Sequence, residues 1–448
     1  MSDSQPVLNF PLLSRKAVHV DFSGGSLSSD GGLLLLAQLD RSLHFTEAVA
    51  ACLHDPRRPA SVQHSRLDLI RQRVYQIAAG YEDQNDATTL RHDPALKLAV
   101  GRAPRSGLDL ASQPTLSRLE ATLAEDECER INAVLLSQFL DTPRRRPRTV
   151  VLDMDTSEHQ THGQQELAFY NDFYQSTCYL PRFLFAGVAH ERDQYLVRAE
   201  LPDHQGEQTE AILESLQRVV STLRERWRSV RLRLRADAGF ADPELYTWLE
   251  ENDVAYTIGI GTNAVLKRLA APLCARAQQA AAASATGEAT LYGSVWYQAE
   301  SWEKKRRVLV KVTVTPTQQT VRFVLCGGMK GSPQELYAFY GGRGDSENRI
   351  KELKEGVRSD RMSCLEYASN KARLMLAAVA YVLLQQLRRL AGGTPWASAQ
   401  VERLRLSVIK IGARVKESGR RVVVELCSSY PWQQTWRYLA AGIGVASR

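Results

Sequence analysis

The stretch that decides the fold class is Thr149-Val-Val-Leu-Asp-Met-Asp-Thr-Ser157. Its β-branched and apolar residues predict a strand. Side chains alternate between the two faces of a strand, so Asp153 and Asp155 share one face and Leu152 and Met154 share the other. Two carboxylates on one face of a buried strand are costly unless a cation neutralises them, and a divalent metal ion does so. Solvated carboxylates at a strand end are the alternative, and this stretch alone does not decide between the two.

Strand-like and helical segments alternate around this stretch, which predicts an α/β fold with a mixed sheet. Residues up to about 140 have mainly helical apolar spacing, which indicates an α-rich N-terminal domain before the sheet. Residues 183–189, 230–235 and 255–260 are strand-like, and the segments 207–226 and 243–252 are helical. Residues 295–298, 307–315 and 320–326 predict three consecutive strands, an antiparallel β unit inserted in the α/β domain.

A second acidic position follows in Arg233-Leu-Arg-Ala-Asp237-Ala-Gly-Phe240. Here a predicted strand runs into Asp237 and then into a turn of small residues. The carboxyl ends of sheet strands are where α/β folds place their reactive groups. A turn-capping aspartate is the alternative, and on this segment alone it is the stronger interpretation.

The most specific segment is Tyr340-Gly-Gly-Arg343-Gly-Asp-Ser-Glu347-Asn-Arg-Ile-Lys-Glu-Leu-Lys354. On a helix these spacings place Arg343, Glu347 and Lys354 on one stripe, with Tyr340 near the same line. One carboxylate flanked by cations suits a metal-binding glutamate beside groups that hold phosphate. An exposed helix with ion pairs four residues apart is the alternative.

Charge and composition are compatible with a polyanionic partner and with a reducing cytoplasm, but the charge alone does not decide the partner. The net charge of +7 makes a polyanionic partner plausible, and residues 371–448 carry thirteen Lys and Arg against three Glu. The seven cysteines form no CxxC pair, so neither a disulfide framework nor a zinc ribbon is indicated. No signal peptide or membrane-spanning run is recognisable. His159 and His162 could form a zinc pair, but no cysteine near them in sequence would complete it, which favours a loop or DNA-contacting role.

With these segments in view, the chain resembles the DDE transposases of bacterial insertion sequences. Tyr340, Arg343, Glu347 and Lys354 match all four positions of the group's YREK signature. The sequence around the acids is similar to that of the family numbered thirteen-eighty, in DDE domain group 1. The similarity extends from Ser-Asp-Gly-Gly near residue 30 to Ser-Ser-Tyr-Pro at 428–431.

This resemblance implies an RNase H-like core in which two acids come from strands and a glutamate from a later helix. The implied catalytic and metal-binding residues are Asp155, Asp237 and Glu347, with Asp153 as the alternative first acid. Two Mg²⁺ or Mn²⁺ ions are the implied cofactors. Arg343 and Lys354 would hold DNA phosphates, and Tyr340 would pack against a base or sugar or lie buried.

The implied function is metal-dependent cleavage at transposon ends followed by strand transfer into target DNA. The alternatives are an RNase H-like nuclease without strand transfer and a domesticated, catalytically silent DNA-binding relative. The expected partners are double-stranded DNA, as terminal inverted repeats and target, and a second copy in a homodimer on DNA; a membrane is not expected. The expected location is the bacterial cytoplasm, at the nucleoid.

The same reading divides the chain into five segments. They are an α-rich domain for DNA end binding (1–147), the first part of the catalytic core (148–261), an inserted β-rich subdomain (262–326), the second part of the core with the YREK helix (327–391), and a basic segment for DNA contact or dimerisation (392–448).

Overall fold

A computed structural model of the protein describes residues 7–9, 16–191, 193–203 and 208–445. The helices are α1 Leu33–Leu43, α2 Phe45–Ala51, α3 Arg66–Ala79, α4 Ala87–Leu90, α5 Pro94–Val100, α6 Gln113–Ala121, α7 Glu125–Leu140, α8 Gln208–Arg226, α9 Pro243–Glu251, α10 Ala264–Ala282, α11 Pro333–Gly341, α12 Gly344–Lys351, α13 Tyr367–Leu390, α14 Val401–Leu404 and α15 Gln433–Gly442. The strands are β1 Leu8–Asn9, β2 His19–Val20, β3 Leu27–Ser28, β4 Thr149–Thr156, β5 His159–Gln160, β6 Phe169–Asn171, β7 Ser176–Tyr179, β8 Arg182–Val188, β9 Tyr195–Glu200, β10 Arg231–Ala236, β11 Val254–Ile260, β12 Ala289–Tyr297, β13 Arg306–Val314, β14 Gln319–Gly327, β15 Ala413–Ser418 and β16 Arg421–Leu426.

The chain divides into two compact units. The first comprises Met1–Leu123, Gly356–Arg358 and Val379–Arg448, and the second comprises Ala124–Glu355 and Ser359–Ala378. All of the predicted site residues belong to the second unit. No helix among the described residues is long and apolar enough to cross a membrane.

The second unit is built on an eight-stranded mixed sheet with the order β12-β13-β14-β11-β10-β4-β8-β9. β4, β10 and β11 run parallel to one another, whereas β8 and β9 are antiparallel additions on one side. Because β4 and β10 are adjacent and parallel, their carboxyl ends lie at the same edge of the sheet. The predicted mixed sheet is therefore confirmed, and it brings the two acidic strand ends together.

The buried core of this unit explains the alternation seen in the sequence. Leu152 and Met154 pack with Phe139 of α7 and with apolar residues of α8 and α9 in one large cluster. Asp153 and Asp155 alternate with these two residues along β4, which turns them to the other face of the strand. Since α7 packs against β9, it groups with the sheet in the second unit, and the compact units separate at 123/124. The domain boundary at 147/148 stays a prediction.

The stretch predicted as an inserted β-rich subdomain, 262–326, contains α10 and the strands β12, β13 and β14. These three strands pair antiparallel, as expected, and β14 also pairs antiparallel with β11. They therefore extend the main sheet instead of forming a sheet of their own. α10 covers β12 and β13 through Leu266 and Ala270, which join the same apolar cluster.

The first unit contains the N-terminal helices and a small sheet of β16, β15 and β3. The Ser-Asp-Gly-Gly segment meets the backbone of 408–411 there, with Gly31 and Gly32 donating to the carbonyls of Ile411 and Ile409 at 2.8 and 3.1 Å. A Cβ on Gly32 would lie 1.9 Å from the carbonyl oxygen of Val408. Only glycine allows two backbones to approach so closely.

Candidate active site

Asp153 lies in an ion pair at the centre of the sheet. The parallel register places Arg235 of β10 directly beside it. Arg235 donates from Nε to Oδ1 at 2.6 Å and from Nη2 to Oδ2 at 2.7 Å, and Gln194 donates to Oδ2 at 2.6 Å. The Asp153 side chain is 1% exposed. These donors therefore supply the hydrogen bonds of a carboxylate that has almost no access to solvent.

Asp155 lies one pleat further along the same face, at the end of β4. Its Oδ2 accepts hydrogen bonds from Arg343 at 2.8 Å and from Ser346 at 3.2 Å, and its Oδ1 accepts from the Thr156 backbone at 3.0 Å. Burial raises its pKa to about 6; Arg343 opposes the shift and the Asp237 carboxylate adds to it. The effect of Asp237 means that the two carboxylates interact through their charges.

Asp237 comes directly after β10 and caps the short turn that follows. Its Oδ1 accepts a hydrogen bond from the Gly239 backbone at 2.9 Å, so the turn-capping interpretation is confirmed at one carboxylate oxygen. Beside it lies Tyr340, whose pKa is raised by burial, with Arg343 acting against the shift and Asp237 adding to it. A Cβ on Gly259 of β11 would lie 2.8 Å from the Tyr340 hydroxyl, so that glycine makes room for the tyrosine. Asp237 thus caps the turn and also lies beside Asp155.

Arg343 bridges two of the predicted acids. Its Nη1 donates to Asp155 at 2.8 Å, and its Nη2 donates to Oε1 of Glu347 at 2.7 Å. The Glu347 side chain is 60% exposed, whereas that of Asp155 is 7% exposed. The ion pair four residues apart on α12 is therefore present as the sequence alternative described it, and the same guanidinium also reaches the end of β4.

Lys354 does not continue the stripe of α12. The α-helix ends at Lys351, and residues 352–356 form a π-helical turn. From this turn the Lys354 Nζ donates to the backbone carbonyl of Glu158 at 2.8 Å. The predicted stripe assumes a regular α-helix from Glu347 to Lys354, and the π-helical turn interrupts that helix, while the lysine reaches the segment that follows β4.

One comparison with known proteins decides the family. The model of the family described as transposase DDE domain group 1 matches residues 10–447, nearly the whole chain. The chain belongs to this family. It is therefore a DDE transposase, a protein of transposition and DNA recombination. No curated protein matches the chain.

The transposase has the side-chain chemistry for a divalent metal but does not gather a full set of ligands. Within the described ranges, no group of three or more His, Cys, Asp or Glu side chains could hold a metal ion. Asp155 and Glu347 are instead each paired with the guanidinium of Arg343. The carboxylates themselves fit Mg²⁺ or Mn²⁺, since hard cations prefer carboxylate oxygens.

The two histidines differ in their surroundings, and the loop or DNA-contacting role expected of them is wrong for His159. His159 is fully buried on β5 against Phe183, and neither ring nitrogen has a hydrogen-bond partner. Burial lowers its pKa to about 3, with Lys354 adding to the effect, so the ring stays neutral. His162 lies exposed in the following loop.

Several residues that shape this site were not expected from the sequence. Arg235 is the partner of Asp153, and its partnership depends on the register of β4 and β10. Gly342 is equally specific, because a Cβ there would lie 2.1 Å from Nη1 of Arg235. Ser346 completes the contacts of Asp155. Alternating arginines at 231, 233 and 235 were the one available signal, since they put Arg235 on a definite face of its strand.

Proposed function

We propose that this transposase cuts DNA at transposon ends and joins the freed 3′ ends to target DNA, using Asp155, Asp237 and Glu347 as metal-binding acids. The observation that carries the proposal is the pair of interacting carboxylates at the ends of the adjacent parallel strands β4 and β10. Arg343 links Glu347 of α12 to Asp155, because its guanidinium donates to both side chains. Two acids from strands and one from a later helix agree with an RNase H-like core.

Asp155, rather than Asp153, is the first acid in this proposal. Asp153 is fully engaged by Arg235 and Gln194 and has 1% of its side chain exposed, so a substrate has no path to it. Asp155 lies beside Asp237, and burial, with a smaller contribution from the Asp237 charge, raises the pKa of its carboxyl although Arg343 is paired with it. A divalent cation bound by both carboxylates would stabilise their charged forms.

Mg²⁺ or Mn²⁺ ions, two by analogy with the family, would be held by these carboxylates. When bound, they would activate the attacking oxygen of water or of a DNA 3′-hydroxyl and stabilise the leaving oxygen. Glu347 is mostly exposed and held by a single guanidinium contact, so its side chain can turn toward the aspartates when Arg343 takes another partner.

Arg343 and Lys354 would hold the DNA backbone at this site. A guanidinium can grip a phosphate with two parallel hydrogen bonds, whereas a lysine ammonium acts as a point charge. Tyr340 is half-buried against Tyr337, with ring centroids 5.8 Å apart, which suits a tyrosine that positions Arg343 better than one that stacks on a base.

The test is cleavage of DNA that carries the element's own ends, identified as inverted repeats in the DNA flanking the gene. Asp237→Ala and Glu347→Gln should abolish Mg²⁺-dependent cleavage while DNA binding remains. Glu355→Gln is the matched control, because Glu355 is also an exposed glutamate paired four residues away, with Lys351. Undiminished cleavage by Glu347→Gln would refute the assignment. A precut end with a free 3′-hydroxyl then tests strand transfer, which a simple nuclease lacks.

A further inference from the structure

The hairpin formed by β6 and β7 carries an exposed aromatic tip. Tyr170, Phe173 and Tyr174 are 58%, 86% and 36% exposed. The rings of Phe173 and Tyr174 pack edge to face, with centroids 4.9 Å apart. One short hairpin thus exposes three large aromatic side chains to solvent. An exposed apolar patch of this kind indicates a surface that binds a partner. We call residues 170–175 the aromatic tip.

The aromatic tip is held in a defined shape. Asn171 Oδ1 accepts hydrogen bonds from the backbone of Phe173 at 3.0 Å and of Tyr174 at 3.2 Å. The Tyr170 hydroxyl donates to Gln175 at 3.2 Å, and the Gln175 amide donates to the Asp172 carbonyl. A patch that is already ordered loses little conformational entropy when it binds.

The hairpin is anchored next to the proposed acids. β7 pairs with β5, which begins four residues after Asp155. Ser176 of β7 donates to the side chain of Glu158, whose backbone carbonyl accepts the hydrogen bond from Lys354. Burial raises the pKa of the Tyr174 hydroxyl, and the charges of Asp237 and Asp155 add to the shift. The strand pairing and the two contacts of Glu158 therefore hold the hairpin against the segment that follows Asp155 and next to Lys354.

The chemistry of the tip fits nucleobases and not phosphates. Residues 169–179 contain no Lys or Arg, and their one charged side chain is the acidic Asp172. Such a surface offers DNA phosphates no cation of its own. It offers π-faces on three rings, together with the amides of Asn171 and Gln175, while Arg343 and Lys354 supply cations nearby. Aromatic faces beside cations are the combination that binds single-stranded nucleic acid.

We propose that the aromatic tip stacks on unpaired bases of the DNA strand next to the scissile phosphate, with Phe173 as the main contact. This inference rests on the proposed function, because the acids define where the strand lies. It assigns the hairpin a part in holding an opened DNA end.

The experiment measures binding of the full-length protein, without divalent metal, to a blunt duplex and to the same duplex with a short single-stranded overhang. Stacking is worth roughly 1–3 kcal/mol per base, so Phe173→Ala should bind the overhang DNA about 5- to 150-fold more weakly. Its binding to blunt DNA should not change. Phe173→Trp should restore the preference, and Phe22→Ala, which removes a phenylalanine that is 84% exposed in the first unit, should behave as wild type. When the overhang consists of abasic nucleotides, the wild-type protein should bind it as weakly as Phe173→Ala does.

Three outcomes would overturn the inference. They are an equal loss on blunt and overhang DNA, no loss on either, and a Phe173→Ala protein whose DNA-free oligomeric mass changes while its overhang preference remains. The last outcome would make the tip a contact between copies of the chain. Because binding is measured without cleavage, a wild-type protein that cuts DNA but shows no Phe173 effect defeats only this inference. A protein that never cuts its own ends defeats the proposed function.

Discussion

Replacing Asp153 and Asp155 by asparagine, one at a time, should separate a residue that holds the fold from one that performs chemistry. Asparagine keeps the shape of each side chain and removes its charge. At position 153 the change leaves the Arg235 guanidinium, only 10% exposed, without its counterion. Removing one partner of a buried ion pair costs about 3–5 kcal/mol, so the melting temperature of a unit this size should fall by about 6–20 °C.

Burial raises the pKa of Asp153 as it does that of Asp155. Arg343, however, keeps Glu347 as a second counterion when Asp155 is replaced, so the change at Asp155 should act in the opposite direction. The pKa of Asp155 is raised from 3.8 to about 6, so folding favours its protonated form. The stability associated with that form is fully present below pH 3.8 and is lost as the pH rises through about 6. Asparagine cannot ionise, so Asp155→Asn should be more stable than wild type at pH 7, and this advantage should disappear near pH 4. Cleavage should be lost.

Urea unfolding and thermal melting of wild type and both variants, at pH 7 and at pH 4, measure these differences. Cleavage assays on the same preparations complete the comparison. Equal stability of the two variants at pH 7 would refute the assignment of separate roles. So would an Asp153→Asn protein that melts like wild type, because the Arg235 pair would then contribute nothing to the fold.

Three further predictions concern charge. Arg343→Ala should increase the affinity of the DNA-free protein for Mn²⁺, measured by electron paramagnetic resonance, because the guanidinium neutralises two of the proposed ligands; an unchanged affinity would contradict this. Burial raises the pKa of Glu250, but hydrogen bonds led by Arg306 lower it to about 2. Glu250→Gln should therefore unfold at lower urea than wild type at pH 7, with a gap that closes as the pH falls from 4.5 toward 2; a constant gap would contradict the ion pair. Replacing the exposed Arg420 and Arg421 together by alanine should reduce the slope of log affinity for DNA against log salt by about 0.9 per lost phosphate contact, and an unchanged slope would exclude the β15–β16 turn from the DNA interface.

The sequence predicted the parts of the site that depend on local periodicity. Alternation along β4 correctly placed Asp153 and Asp155 on one face, since a strand can alternate in only one way. It left the choice between them open, because the difference comes from a neighbouring strand. The parallel register of β4 and β10 puts Arg235 beside Asp153, and that pairing joins residues 82 positions apart.

The limits of the expected helical stripe have a similar origin. Arg343 and Glu347 lie within one regular turn, and their ion pair follows from the spacing. That Arg343 also reaches Asp155 depends on α12 packing against β4, which no local pattern encodes. The sequence analysis missed the aromatic tip because a sequence does not show which aromatic side chains are exposed. Only the folded hairpin brings these three together at one edge of the site.

The π-helical turn at 352–356 changes what the spacing between the glutamate and the lysine of the signature says about their positions. A π turn closes its hydrogen bond over five residues where an α turn uses four, so it takes in one more residue per turn. The six residues between Glu347 and Lys354 therefore measure a path along the chain and not a fixed rotation about an axis. A relative whose helix stays regular would need a different spacing to bring its lysine to the same place. Comparing the distance from the lysine Nζ to the chain after β4 is thus a better guide to equivalence than matching gaps in an alignment.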